Sequence, residues 1–165
     1  PVGICGSGAL DIAAQLVVHE IADETGLLCD DYFDDGIEIT EDKKIMFTQK
    51  DLREIQLAKS AVRSGIEILL AASGFTYESI ERVFIAGGFG HKINLDSAQA
   101  LGIIPAELRP KVCAVGNTSL GGCVMALMGK EARRDIERIA KTATEINLSA
   151  DPRFNNLFMQ HMMFN

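Results

Sequence analysis

The chain has 165 residues, 47% of them hydrophobic and 24% charged, and this length suits one domain with a sizeable core. Its formal net charge of −7 argues against a nucleic acid or an anionic membrane as a main partner. No apolar run approaches the ~18 residues of a membrane span, so we expect no segment that crosses a membrane.

Four cysteines are spread along the chain, and no pair has the C-x2-C spacing of a zinc or iron–sulfur site. The three histidines are also scattered, so we predict no metal site. We expect buried, reduced thiols in a cytoplasmic protein. Because the chain starts with Pro and reaches a glycine-rich loop by residue 3, we expect a single domain, 1–165, that is the C-terminal fragment of a longer protein.

The first part of the chain predicts a helix, a loop and a hairpin. Ser7 can cap a helix that runs to about Thr25 and ends at Gly26. Residues 27–35 contain four aspartates whose spacing differs from an EF-hand, so we interpret them as a solvated acidic loop rather than a calcium site. Alternation at period two on both sides of residues 41–43 predicts a β-hairpin.

A long amphipathic helix follows the hairpin. Thr48 can cap it, with Asp51 as the capping-box partner, and Gly74 can end it. Apolar residues recur at three-and-four spacing for more than five turns between these signals, which predicts a helix packed along one side.

The remainder of the chain alternates short apolar runs with helical patterns. It predicts strands at 83–86, 112–115 and 145–148, and helices at 96–101, 120–128, 130–142 and 154–164. The predicted class is therefore α/β, with a mixed sheet flanked by helices.

Three glycine-rich segments are the candidate binding elements: Gly3–Gly8, Gly87–Gly90 and Gly116–Ser119. The first precedes a predicted helix, whose N-terminal N–H groups and dipole favour phosphate oxygens. The other two follow predicted strands, at the sheet edge where α/β proteins bind ligands. Tight turns and a serine cap are the structural alternative, and no Walker A or dinucleotide fingerprint is present.

A polar stripe on the long helix is a further candidate. Its members recur at three-and-four spacing and could face a nucleotide base and ribose: Gln56, Lys59, Ser60 and Arg63. A solvated helix face is the alternative. No catalytic triad is visible, so we predict no catalytic residue in this chain.

Together these segments resemble one family. The order of a phosphate-like loop, a long helix and a strand running into Gly-Gly looks like the C-terminal half of actin-like ATPases, a ribonuclease H-like half-domain. More closely, the blocks that resemble the reductive activators of corrinoid proteins are Gly3–Gly8, Thr48–Lys59, Ala86–Gly90, Gly116–Ser119 and Phe154-x-x-x-Phe158. The resemblance covers essentially the whole chain.

The resemblance implies a function for the longer protein. Such activators use ATP, with magnesium, to drive electron transfer from an iron–sulfur cluster to a cobalt(II) corrinoid protein, which regenerates the cobalt(I) nucleophile for methyl transfer. A 2Fe-2S cluster is expected only in an N-terminal region outside this chain. A corrinoid protein is the expected partner, and a homodimer is possible.

By motif, the first loop would bind the phosphates and the Gly-Gly segment would bind the adenosine. The residues of the long helix match the adenine-contacting helix of the chaperone ATPases only loosely. The predicted nucleotide-binding residues are Gly6, Ser7, Gly8, Gln56, Lys59, Arg63, Gly87, Gly88, Phe89 and Asn117. The chain lacks the cluster cysteines, the upstream phosphate hairpin and the Asp-x-Gly-Gly segment. We therefore expect an ATPase only in the full-length protein, with this part alone inactive.

Two alternatives stay open at this point. The chain could be a docking or dimerisation domain of an iron–sulfur protein that keeps the fold but binds no nucleotide. It could also belong to another actin-like activator or kinase, although the catalytic Asp of a kinase is not visible.

Overall fold

The computed structural model describes residues 2–42 and 44–164, except for the side chains of Phe89 and His91. The expected α/β class is confirmed. The described elements are α1 (Gly6–Val18), α2 (Asp30–Phe33), β1 (Ile37–Glu38), β2 (Met46–Phe47), α3 (Gln49–Ser73), β3 (Val83–Ala86), α4 (Gly87–Lys92), α5 (Leu95–Ala100), β4 (Val112–Gly116), α6 (Thr118–Met128), α7 (Lys130–Thr142) and α8 (Phe154–Gln160).

The strands form two separate small sheets rather than one mixed sheet. β1 and β2 pair antiparallel as the predicted hairpin, and β3 and β4 pair parallel. The predicted strand at 145–148 was wrong, because that stretch is irregular and leads into a 3-10 turn at Leu148–Ala150. Leu148 packs against Gly65 of α3, where an added Cβ would lie 3.3 Å from its Cδ1 atom. Contact with a helix therefore replaces strand pairing there.

α3 begins and ends where the sequence predicts. The backbone N–H of Thr48 donates to Asp51 Oδ2 at 2.8 Å, and the backbone N–H of Asp51 donates to Thr48 Oγ1 at 3.3 Å. Gly74 ends the helix in the left-handed conformation, with φ of +69°. Both signals are local, which is why sequence reasoning finds them.

α1 is shorter than predicted, and it starts two residues earlier than a cap at Ser7 would allow. Cys5 holds the N-cap position and Ser7 lies inside the first turn. The helix ends at Val18 because Glu20 adopts a left-handed φ of +58°, which turns the chain. Gly26, expected to end the helix, lies in the following loop with φ of +77°.

The main core joins α1, the hairpin, α3 and the end of the chain. Its fully buried members include Ala13, Leu28, Phe47, Leu52 and Leu101. Burying a side chain of this size contributes about 1.5–3 kcal/mol, so this cluster fixes the position of α1 against α3. A smaller cluster around Ala98, Ile104 and Leu108 joins α5 to β3 and β4.

The β3–β4 pair and α6 carry an exposed apolar surface. It includes Phe84, Val115, Leu120, Met125 and Leu127. Near-continuous apolar runs are typical of parallel strands that are covered on both faces. The four cysteines are free, but all are exposed, so the expected burial was wrong. For Cys113 and Cys123 the reason is their place on β4 and α6, which the described residues leave uncovered.

No helix within the described part of the chain has the length and apolar character that crossing a membrane requires.

Candidate functional site

Two glycine-rich segments meet at one edge of the parallel sheet. Ala86 pairs with Gly116 in the register, so the carboxyl ends of β3 and β4 lie side by side. β3 runs directly into α4 at Gly87, and β4 runs into α6 through Asn117. The first N–H groups of each helix have no partner within the helix, so this edge carries donors suited to an anion.

The glycines at this edge leave open space. Gly87 has φ of +96° and Gly116 has φ of +70°, conformations that L residues rarely adopt. A Cβ atom added at Gly87, Gly88 or Gly116 would meet nothing within 4 Å. The main chain is therefore accessible to a ligand. The expected glycine loop after β3 proves to be the first turn of α4.

Gly90 in the same segment has a different role. A Cβ atom there would lie 2.4 Å from Ile85 Cγ2 and 3.2 Å from the Ile85 carbonyl carbon. Gly90 is buried and allows α4 to pack closely on the end of β3. The side chain of Phe89, a predicted adenosine-side residue, lies outside the described residues. Contact between Phe89 and a nucleotide therefore stays a prediction.

Asn117 caps α6. Its side-chain Oδ1 accepts the backbone N–H of Leu120 at 3.0 Å. The residue is exposed and stands beside Gly116 at the sheet edge. This cap orients the first turn of α6 toward the edge, which gives Asn117 a positioning role whether or not it contacts a ligand.

The start of α1 favours negative charge. Cys5 Sγ lies 3.4 Å from Ser7 Oγ, and the thiol is exposed. The hydrogen bond with Ser7, followed by the backbone N–H of Gly8, lowers the pKa of the Cys5 thiol. Because the same groups stabilise a thiolate, they could also stabilise a phosphate oxygen at this loop.

A cavity of about 380 Å³ adjoins this loop. Its lining comes from the first residues of the chain, from the second hairpin strand and from the first turn of α3: Val2, Gly3, Ile4, Ala9, Lys44, Ile45, Met46, Phe47 and Asp51. Lys44 is the cation of this lining and pairs with Asp42 at 3.0 Å.

α4 contains the second glycine-rich segment, Gly87–Gly90. It contacts both strands of the parallel pair and also contacts α1. α1 in turn packs along α5, where the buried Ser97 hydroxyl donates to Asp11 Oδ1 at 2.6 Å. The fold thus packs α1, which begins in the predicted phosphate-side segment, against α4, which contains the predicted adenosine-side segment.

The polar stripe on α3 contacts the C-terminal segment. The Gln56 side chain is fully buried, and its Nε2 group donates to the carbonyl oxygens of Thr25 and Met162 at 2.9 Å each. The Lys59 ammonium donates to the Met163 carbonyl oxygen, and the Ser60 hydroxyl donates to that of Phe158. Sequence reasoning did not predict that the stripe binds the C-terminal segment, because the carbonyl partners in that segment lie about a hundred positions away along the chain.

Arg63 lies beside a small charged cluster. Its Nε group donates to Glu67 Oε1 at 3.2 Å, and the Tyr77 hydroxyl donates to the same oxygen at 3.1 Å. His161 Nε2 lies 3.0 Å from that oxygen, in an alignment too poor for a hydrogen bond. Burial lowers the pKa of His161, which the Glu67 carboxylate partly opposes. Whether Gln56, Lys59 and Arg63 contact a nucleotide stays a prediction.

A metal centre is not evident in the described residues. They contain no group of three or more His, Cys, Asp or Glu side chains placed to hold an ion. Residues 30–35 are all exposed, as predicted for a solvated segment, although Asp30–Phe33 forms a short helix there.

Comparison with known proteins agrees with the sequence resemblance. The family model described as the C-terminal domain of RACo, the ASKHA domain, matches residues 1–165. A solved structure of a reductive activator for a corrinoid, iron-sulfur protein superposes with a TM-score of 0.86 at 31% identity, over 99% of this chain and 28% of that one.

Two curated relatives point the same way. The corrinoid activation enzyme RamQ from Eubacterium limosum is 31% identical over 186 residues, which cover 99% of this chain and 31% of the relative. The Co(II) methylated amine-specific corrinoid protein reductase from Methanosarcina barkeri is 28% identical over 167 residues, covering 99% and 29%. The chain thus spans under a third of the length of either relative.

Proposed function

Because this chain belongs to the family of RACo C-terminal domains, the ASKHA domain, we propose that it is the nucleotide-binding part of an ATP-dependent reductive activator. The longer protein would return a corrinoid protein from cobalt(II) to cobalt(I), the state used in methyl transfer. Relatives that carry this domain are described as corrinoid activators and reductases, which supports the proposal.

The open glycine edge is the observation that carries the proposal. Gly87, Gly88 and Gly116 leave the main chain bare at the point where two parallel strands end and two helices begin. Parallel α/β sheets bind ligands at this edge, and helix N-termini favour phosphate oxygens. A phosphate-bearing ligand fits this set of donors better than an uncharged one.

Each predicted segment has a role in the proposal. The backbone N–H groups at the starts of α4 and α6 would hold phosphate oxygens, and Asn117 would orient the first turn of α6. Gly6, Ser7 and Gly8 would add donors from the start of α1, where a lowered Cys5 pKa already indicates stabilised negative charge. Magnesium would enter with the nucleotide, held by its phosphates.

Binding of ATP would shift the conformational equilibrium of the full-length protein toward the form that docks and reduces the corrinoid protein. The electrons would come from an iron–sulfur cluster elsewhere in that protein. The chain's four cysteines are exposed, and the described residues contain no grouping of them that could hold a cluster. A cytoplasmic location and a homodimer stay predictions.

One observation favours a second candidate, a docking domain that binds no nucleotide. The apolar surface on β3–β4 and α6 is exposed and includes Phe84 at 60% and Leu127 at 82% of their full exposure. Exposed apolar surface of this kind marks contact with other polypeptide. The surface is compatible with either function, whereas open space above Gly88, which has no positive φ that would itself require glycine, favours ligand access.

Calorimetric titration of the full-length protein with Mg-ATP tests the proposal. The informative variant is Gly88→Val, because Gly88 has no positive φ and an added Cβ atom there would have no neighbour within 4 Å outside its own helix. We expect wild-type protein to bind and the variant to lose at least about tenfold in affinity, since the branched side chain fills the ligand's approach.

Ala72→Val is the matched control, since Ala72 is exposed near the end of α3 and the added bulk is similar. It should bind as wild type does. If wild-type protein gives no heat, or if Gly88→Val binds normally, the nucleotide proposal fails and the docking function gains support.

A further inference from the structure

A second, smaller cavity is lined by positively charged side chains, which is unusual in a chain with a net negative charge. We call it the cationic cavity. It encloses about 240 Å³ between the middle of α3, the end of α5 and the C-terminal segment. Its lining residues are Lys59, Arg63, Gln99, Gly102, His161 and Met163, with the apolar side chains of Ile104 and Ala106. None of them is a carboxylate, although the whole chain has a net charge of −7.

Lys59 is the most telling residue of the cationic cavity. Only 3% of it is exposed, and its described partners are the Met163 carbonyl oxygen and the Phe164 ring, whose centre lies 4.8 Å from Nζ. It forms no ion pair with any described carboxylate. Buried charges in proteins are ordinarily paired, and an ammonium has three donors.

Arg63 adds a second positive charge. Burial first, and then repulsion from Arg63, lowers the pKa of Lys59 to about 8. Glu67 compensates Arg63 through its Nε group at 3.2 Å, which engages one of the five guanidinium donors. Among the described residues, the side chains of the cavity therefore sum to a net positive charge that a bound anion would relieve.

Gly102 keeps the space beside the ammonium open. Its φ is +75°, and a Cβ atom there would lie 3.7 Å from Lys59 Nζ. The cavity volume of about 240 Å³ exceeds the ~30 Å³ that one water takes in the liquid. An oxyanion of several atoms therefore fits beside the ammonium and can accept from more than one donor.

We propose that the cationic cavity binds a phosphate-type oxyanion, held by Lys59 and Arg63 beside the end of α5. The anion has two possible sources, free inorganic phosphate or a phosphate group of a bound nucleotide. Only the second source rests on the proposed function.

A charge series at Gln99 tests this site without removing either cation. Gln99 is exposed and lines the cavity, so Gln99→Glu and Gln99→Lys should both fold. We would titrate the full-length protein with inorganic phosphate by calorimetry at constant ionic strength. Gln99→Glu should weaken phosphate binding at least about tenfold, because a like charge opposes the anion, and Gln99→Lys should preserve or strengthen it.

The matched control is Gln15→Glu, which makes the same charge change on the exposed side of α1, away from the cavity lining. It should bind phosphate as wild type does. The site proposal is overturned if the three variants and wild type bind both phosphate and ATP equally well, or if neither titration depends on the charge at residue 99.

The two sources separate in the Gly88→Val background. If phosphate still binds this variant and still responds to Gln99→Glu, the cavity takes free phosphate, whatever becomes of the nucleotide proposal. If the anion belongs to a nucleotide, Gln99→Glu should weaken ATP binding to otherwise wild-type protein and leave adenosine binding unchanged.

Discussion

Gly88 and Gly90 lie two residues apart in α4, yet their surroundings differ. Space above Gly88 is open, whereas Gly90 is pressed against Ile85. Both belong to one Gly-Gly-Phe-Gly motif. The sequence alone does not distinguish a glycine that is needed for packing from one that gives a ligand access to the main chain. The structure separates them because the direction of a missing Cβ depends on the tertiary path of the chain.

This difference predicts opposite effects of the same small change. Gly90→Ala should lower the free energy of unfolding by about 1–3 kcal/mol, since its methyl group overlaps Ile85. Gly88→Ala should be neutral or raise it by up to about 1 kcal/mol, because alanine is the better helix former. Urea unfolding of the two variants compares them directly, and equal losses at both positions would contradict the assignment.

The polar stripe on α3 is the element whose use the sequence leaves open. Spacing alone places Gln56, Lys59 and Ser60 on one helical face, but a nucleotide, solvent and a distant segment all suit polar residues. The structure brings the segment from Phe158 to Met163 onto that face. The caps of α3 were predictable because each acts within a few residues, whereas the end of α1 depended on the left-handed Glu20.

Gln56→Leu tests whether this stripe holds the C-terminal segment. The change removes two hydrogen bonds from a fully buried side chain and leaves the carbonyl oxygens of Thr25 and Met162 without that donor. Each unsatisfied buried group costs about 1–3 kcal/mol, so the amides of α8 should exchange with solvent much faster.

Hydrogen exchange monitored by mass spectrometry measures this effect in the full-length protein. Arg53→Leu is the control, since Arg53 is exposed on the same helix. Unchanged exchange in α8 for Gln56→Leu, or equal acceleration in both variants, would show that the stripe does not hold the segment.

On the scale of the whole molecule, the sequence predicted the α/β class correctly, and it overestimated the sheet. Residues 83–86 and 112–116 form one parallel pair, but no strand forms at 145–148. Parallel strands are ordinarily covered on both faces by other elements. The exposure of Phe84 and Val115 is therefore typical of two central strands of a larger sheet without the elements that would cover them. Relatives more than three times longer are consistent with such coverings.

The candidate site was only partly predictable for the same reason. Motif order located the strand-end glycines, because strand ends and helix starts follow from the local pattern. The cationic cavity arises from α3, α5 and the C-terminal segment, which are distant in sequence and meet only in the folded chain. Spacing on α3 placed Lys59 and Arg63 on one face as binding candidates, but it could not indicate that α5 and the C-terminal segment would form a cavity there.

We propose that this glycine edge binds the ATP that drives corrinoid reduction by the full-length protein. The most direct measurement is the rate of cobalt(I) formation, followed by absorbance, when the full-length protein, a reductant and a cobalt(II) corrinoid protein are mixed with and without Mg-ATP. We expect an ATP-dependent rate in wild type and in Ala72→Val, and a rate at least about tenfold lower in Gly88→Val. A rate that ignores ATP, or a Gly88→Val variant as fast as wild type, would contradict it.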